Sequence, residues 1–187
     1  MERAPDALVR SALPVLGAGI RRVATISYSS NVVAVLCALA RARALLAVCA
    51  ESVPGGEGRR TATTLATAGA DIELVDDALL STYLRDVDAV IVGADAISPR
   101  DWINKAGTFG IAAAAFFTGT PVYVCATRDK AQSEAMRGRI ELPRVFERIP
   151  VELATLILTD AGPITPADLP QFLGRFDADL DRLFRAF

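Results

Sequence analysis

The sequence predicts an α/β fold, a doubly wound parallel sheet with helices on both faces. Three observations predict it. Short apolar runs alternate with helical patterns along the chain. The run Ala89-Val90-Ile91-Val92-Gly93 does not alternate with polar residues, so it reads as a strand buried on both faces. Apolar residues make up 52% of the 187 positions, enough to cover a sheet twice and build one sizeable core.

The elements follow in order. Residues 1–20 form a short N-terminal segment. Residues 23–27 read as the first strand, and 31–42 as its helix, with Val32, Val35, Leu36 and Leu39 on one face. The second strand spans 45–49, followed by a helix over 60–68 that Gly69 ends. A third strand over 72–75 precedes a short helix over 77–85. The fourth strand is 89–93, and the next helix, 104–117, stops at Gly119 and Pro121. Residues 122–125 form the fifth strand. A charged stretch, 128–148, crosses to a sixth strand over 155–158. A terminal helix lies within 175–187, with Leu180, Leu183 and Phe184 on one side. The expectation is one domain over 1–187, without internal repeats. Right-handed crossovers favour the strand order 3-2-1-4-5-6. That order sets the first and fourth strands side by side, at the switch point where open α/β sheets bind ligands. Residues 27–31 and Asp95 then face one crevice.

Composition narrows the function classes. Net charge is −2 with no basic block, so no nucleic-acid partner is expected. No apolar run approaches the roughly 20 residues of a membrane span. Glu2 and Asp6 interrupt any basic-then-apolar leader. Three widely spaced cysteines suggest neither a disulfide framework nor a metal site, and point to a reducing cytoplasm. The chain has no histidine, so a His-dependent triad is excluded and proton transfer falls to Asp, Glu, Lys, Tyr or Cys.

Four groups of residues could carry chemistry. Ser27-Tyr28-Ser29-Ser30-Asn31 joins the first strand to its helix. Its hydroxyls and amides could hold a phosphate; taken alone, simple N-capping by Ser29 or Ser30 with no ligand is the better explanation. The Gly-rich stretch 51–60 matches no phosphate-loop or dinucleotide pattern. Arg59 and Arg60 there are as well read as solvated as phosphate-binding. Asp95 directly follows an apolar strand, where partial burial would raise its pKa and suit it to proton exchange. Asn104 and Lys105 open the expected helix; a lysine is unfavourable beside a helix N-terminus, so its presence suggests an anion nearby. Cys37 and Cys49 read as core. Cys125 could border the crevice, with packing the better explanation.

These residues resemble a known family. It comprises the alpha, beta and delta regulatory subunits of translation initiation factor 2B, with the isomerases of methylthioribose 1-phosphate and ribose 1,5-bisphosphate. The resemblance covers about residues 23–165. Its anchors are Tyr28-Ser29 with Val32-Val33 and Val35-Leu36, then Glu51-Ser52 with Pro54 and Gly58, then Asp88 through Asp95. Ile103-Asn104-Lys105 with Gly107-Thr108, and Pro121-Val122-Tyr123-Val124, complete them. Each is short; their order and spacing together are specific. The resemblance implies a Rossmann-like domain and a crevice for a phosphorylated pentose. Asp95 matches the family's acid–base aspartate, Asn104 and Lys105 its substrate-contacting pair, and Lys130 a lysine common after the fifth strand.

Three departures matter. Ser27 stands where the isomerases carry a catalytic cysteine, and a hydroxyl is a far weaker acid than a thiol of pKa ~8.5. Val53-Pro54 stands where isomerases often carry Arg-Pro, which removes a phosphate ligand. The family's N-terminal helical domain is expected to be absent. Two main hypotheses follow. The first is a sugar-phosphate-binding, isomerase-like protein that uses Asp95 and Ser27, binds through Ser29, Ser30, Asn104 and Lys105, and needs no metal or organic cofactor. The second is a non-catalytic subunit-like protein, favoured by Ser27 and opposed by the missing helical domain. A nucleotide-binding domain outside the family is the weakest, for want of a dinucleotide fingerprint. Under the first two, the apolar stretch 111–117 suits a homodimer or a partner subunit.

Overall fold

The computed structural model describes residues 4–17, 19–132 and 141–174. In chain order its elements begin α1 (Ala4–Leu16), β1 (Arg22–Thr25), α2 (Ser30–Ala42), β2 (Leu46–Ala50), α3 (Glu57–Thr67) and β3 (Asp71–Val75). After a 3₁₀ turn over Asp77–Tyr83 come β4 (Ala89–Gly93), β5 (Ala96–Ile97), β6 (Asp101–Lys105), α4 (Thr108–Thr118) and β7 (Val122–Cys125). A 3₁₀ turn at Arg128–Lys130 precedes β8 (Phe146–Pro150), and another at Val151–Leu153 precedes β9 (Leu156–Thr159) and β10 (Gly162–Ile164).

The main sheet runs β10-β9-β7-β4-β1-β2-β3. All its pairings are parallel except β9 with β10. The expected order 3-2-1-4-5-6 is therefore observed, with β7 and β9 as the fifth and sixth strands and an antiparallel edge beyond them. Residues alternate between two cores. Val23, Ala47, Ala89, Ile91 and Cys125 pack on the side of α1 and α2. Ala24, Val48, Val90, Val92 and Val124 pack on the side of α4. This double cover is why the strands read as unbroken apolar runs.

Several details go beyond or differ from expectation. Within the segment 1–20, to which the sequence assigns no element, α1 buries Leu8, Ala12 and Leu16 at helical spacing and packs on α2. Burying each leucine contributes about 1.5–3 kcal/mol. The helix over 104–117 starts later, at Thr108. Asn104 and Lys105 instead end β6, which pairs antiparallel with β5 and β8 in a second, three-stranded sheet. Gly107, at φ +101°, separates strand from helix. The short helix expected over 77–85 is a 3₁₀ helix over Asp77–Tyr83, and α3 begins at Glu57, ahead of the expected residue 60. The expected terminal helix within 175–187 lies outside the described residues. Among the described residues, no helix is long and apolar enough to cross a membrane.

Candidate functional site

A cavity of about 290 Å³ opens at the carboxyl ends of β1 and β4. The order of the sheet makes those two strands neighbours, so their following loops converge there. Ser27, Ser29 and Ser30 line one wall, Asp95 and Lys130 another, and Asn104 and Lys105 a third. Seven of the nine residues singled out from sequence thus come together. Arg59 and Arg60 do not line it. Arg59 pairs with Glu51 at 2.6 Å, and the Arg60 guanidinium lies 3.9 Å over the Tyr28 ring.

The first loop is held in a defined shape. The strand stops at Thr25, and Ser27 takes the left-handed conformation, φ 67°. Its N–H donates to Ser52 Oγ at 2.6 Å, and its carbonyl accepts from Thr61 Oγ1 at 2.7 Å. Ser52, also left-handed at φ 66°, is itself fixed: its N–H donates to Asp77 Oδ1 at 2.6 Å, and the Val53 N–H donates to Oδ2 at 2.8 Å. The positive φ values at two non-glycine residues are sparsely populated and are maintained by these bonds. Ser29 then caps α2, its Oγ accepting from the Val32 N–H at a long 3.5 Å. Gly93 makes this close approach feasible, because a Cβ there would sit 2.5 Å from Ser29 Cβ. Asn31 ties the same helix start to the end of β7 through Thr127 Oγ1, at 3.1 Å. The α2 N-terminus, with free amides and a positive dipole end, therefore faces the cavity.

Opposite it stand the acid and the amines. Asp95 is exposed to the cavity, with its N–H fixed on the Ile103 carbonyl at 2.8 Å. Loss of solvation raises its carboxyl pKa above the usual range, and the Lys130 charge opposes the rise. Asn104 is buried, and its amide donates to Thr108 Oγ1 at 3.0 Å. Lys105 is buried too, and its ammonium donates to Glu57 Oε1 at 2.7 Å. The anion that the lysine implied is thus one of the chain's own carboxylates. The helix-dipole argument for it fails, because Lys105 lies on a strand.

Glu57 was missed from sequence because it sat in a stretch read as a loop. It is the first residue of α3 and lines the cavity. Desolvation pushes its pKa up, but the Lys105 hydrogen bond, a backbone hydrogen bond and the Lys105 charge outweigh that and hold it down. Gly58 seats it: a Cβ at that position would lie 1.7 Å from the Ala50 carbonyl oxygen. Ser52 and Asp77, which shape the Ser27 turn, were given no role; Ser52 was an anchor of the resemblance, and only its place after β3 hinted at Asp77. Asp88, an anchor of the resemblance, is structural, since its carboxylate accepts from the Arg21 and Arg22 amides at the other end of the sheet. Cys125 lies in the core and does not border the cavity. Burial pushes the Cys49 and Cys125 thiols up to about 12, so neither supplies a thiolate at neutral pH. Among the described residues, no cluster of acidic or cysteine side chains could hold a metal ion.

Comparisons with known proteins bear on the family and the fold. The model of the initiation factor 2 subunit family matches residues 17–142. The ribose 1,5-bisphosphate isomerase of Methanocaldococcus jannaschii is 34% identical over 128 residues, covering 64% of this chain and 41% of that protein. The methylthioribose-1-phosphate isomerase of Chloroflexus aurantiacus is 30% identical over 173 residues, covering 77% of this chain and 50% of its own. Among solved structures, the Pyrococcus horikoshii OT3 translation initiation factor eIF-2B superposes with a TM-score of 0.79 at 27% identity, covering 89% of this chain and 66% of that one. The chain spans about half the length of the curated relatives it matches. On the extent of the family match and the likeness of the fold, the chain belongs to the initiation factor 2 subunit family.

Proposed function

We propose that the chain binds a phosphorylated pentose in the β1/β4 cavity and interconverts an aldose 1-phosphate with its ketose. The observation that carries this reading is the meeting of an acid of raised pKa with a helix N-terminus and two lysines in one small cavity. Such isomerisation moves a proton between adjacent carbons with no net oxidation. One group must therefore both accept and donate a proton, and a carboxyl held above its usual range is suited to both. Asp95 takes that role. The amides of the first turn of α2, with Ser29, Ser30 and Lys130, hold the phosphate. Asn104 and Lys105 meet the sugar oxygens, and Ser27 holds a hydroxyl at the position where the isomerases carry a thiol. Arg59 and Arg60, outside the cavity, have no part in it. The chemistry needs no metal or organic cofactor.

Incubation of purified protein with methylthioribose 1-phosphate and ribose 1,5-bisphosphate tests turnover. The expected result is a ketose product that Asp95→Asn reduces by about 10²–10⁴, with binding of the sugar phosphate retained. Absence of product with wild-type protein removes the enzymatic reading.

A second reading, a non-catalytic subunit-like protein, is favoured by one observation, Ser27 at the thiol position. Under it the chain acts as an interaction protein: a pull-down recovers a factor complex, and recovery of the chain alone argues against this reading. In either case, we propose self-association or a partner subunit on α4. Its Ile111, Ala112 and Ala115 face inward, while Phe116 and Phe117 are 62% and 86% exposed.

A further inference from the structure

The cavity's charge is unusual for a phosphate site. Its charged lining residues, among those described, are two carboxylates, Asp95 and Glu57, and two ammonium groups, Lys105 and Lys130. They are not equivalent. Lys105 is almost fully buried, and its charge is matched by Glu57 at 2.7 Å. Lys130 has a looser carboxylate neighbour, Asp129 at 3.7 Å, and also faces Asp95. The second oxygen of Glu57, Oε2, is buried with no hydrogen-bond partner among the described residues. The Glu57 carboxylate nevertheless lines the cavity, and its charge repels a second phosphate, which carries about −1.5 to −2 charges at neutral pH. Arg59 and Arg60 bring no relief, because neither reaches the cavity.

We infer that Glu57 makes this a one-phosphate site. By holding Lys105 it leaves Lys130 and the first-turn amides of α2 to take a single phosphate. The uncharged, hydroxylated end of the sugar then meets the Glu57 carboxylate. Glu57 is on this view a specificity-determining residue that selects sugar monophosphates over bisphosphates. The inference rests on the sugar-phosphate reading of the cavity and narrows it.

The test is calorimetric titration of wild type and Glu57→Gln with ribose 1-phosphate and with ribose 1,5-bisphosphate, at one pH and ionic strength. The two probes differ only by the second phosphate. Wild type is expected to bind the monophosphate at least about tenfold more tightly, since juxtaposed like charges are strongly penalised. Gln keeps an acceptor for Lys105 but removes the negative charge. The variant is expected to shrink the preference at least about tenfold, mainly by tighter binding of the bisphosphate. Equal or tighter binding of the bisphosphate by wild type overturns the inference alone, and this arm needs no variant to fold. An unchanged ratio in a folded Glu57→Gln protein also overturns it. If wild type binds neither sugar phosphate, the underlying reading of the cavity fails and the inference falls with it.

Discussion

At the scale of single residues, the proposed chemistry turns on which groups can exchange a proton. Ser27 cannot supply the acidity of a thiol, and the thiols of Cys49 and Cys125 are buried beyond use. Ser27→Cys is therefore expected to raise isomerase turnover at least about tenfold, because a missing general acid or base costs about 10²–10⁴; unchanged turnover would separate position 27 from the chemistry. Asp95 makes a second prediction. Its folded pKa is raised, so the folded state holds this proton more tightly than the unfolded chain does. Stability from this group is present below the unfolded value of about 3.9 and is lost as pH rises through the folded value. Asp95→Asn should accordingly melt higher than wild type at pH 7, and the difference should close near pH 3. A lower melting temperature for Asp95→Asn at pH 7 would contradict that sign. Ser27 and Asp95 were legible in the sequence because both follow apolar runs that had to be strands. Glu57 was not, because its partnership with Lys105 spans 48 positions and exists only once α3 and β6 close on each other.

At the scale of elements, two glycines hold the site together. A Cβ on Gly58 would meet the Ala50 carbonyl, and one on Gly93 would meet Ser29. Gly58→Ala is expected to cost stability near the upper end of about 1–3 kcal/mol and to loosen the Glu57–Lys105 pair. Denaturant unfolding measures the first, and loss of selectivity for monophosphates the second. Leu8→Ala in α1 tests the packing that the sequence reading missed, with an expected loss of about 2–5 kcal/mol; a change within about 0.5 kcal/mol would mean that α1 does not pack there. The inner strands of the main sheet were readable because burial on both faces leaves a plain signature, whereas the short edge strand β10, only three residues and partly exposed, was not. By contrast, the end of β6, Asn104 and Lys105, was taken for a helix start: Asp101-Trp102-Ile103-Asn104-Lys105 is short, mixed in polarity and specified by partners, β5 and β8, that are remote or only two residues long. The glutamate that helps to cap α4, Glu147, accepting from the Phe109 N–H at 2.7 Å, comes from that same distant strand.

At the scale of the whole molecule, the parallel order of the sheet does the positioning. Adjacent β1 and β4 bring the serine loop and Asp95 to one opening, and the small β5-β6-β8 sheet supplies the facing wall with Asn104 and Lys105. The outward Phe116 and Phe117, stacked edge to face at 5.8 Å, form an apolar spot on α4. If self-association uses it, sedimentation velocity should show a dimer that Phe117→Asp converts to monomer; a wild-type monomer would remove the homodimer and leave only a partner subunit. The central claim is that the switch-point cavity is a sugar-phosphate site. A crystal structure of the protein with ribose 1-phosphate tests it most directly. The account expects the phosphate on the first turn of α2 beside Lys130, with the sugar against Asp95 and Glu57. Sugar phosphate bound elsewhere, with this cavity holding only water at saturating ligand, would contradict it.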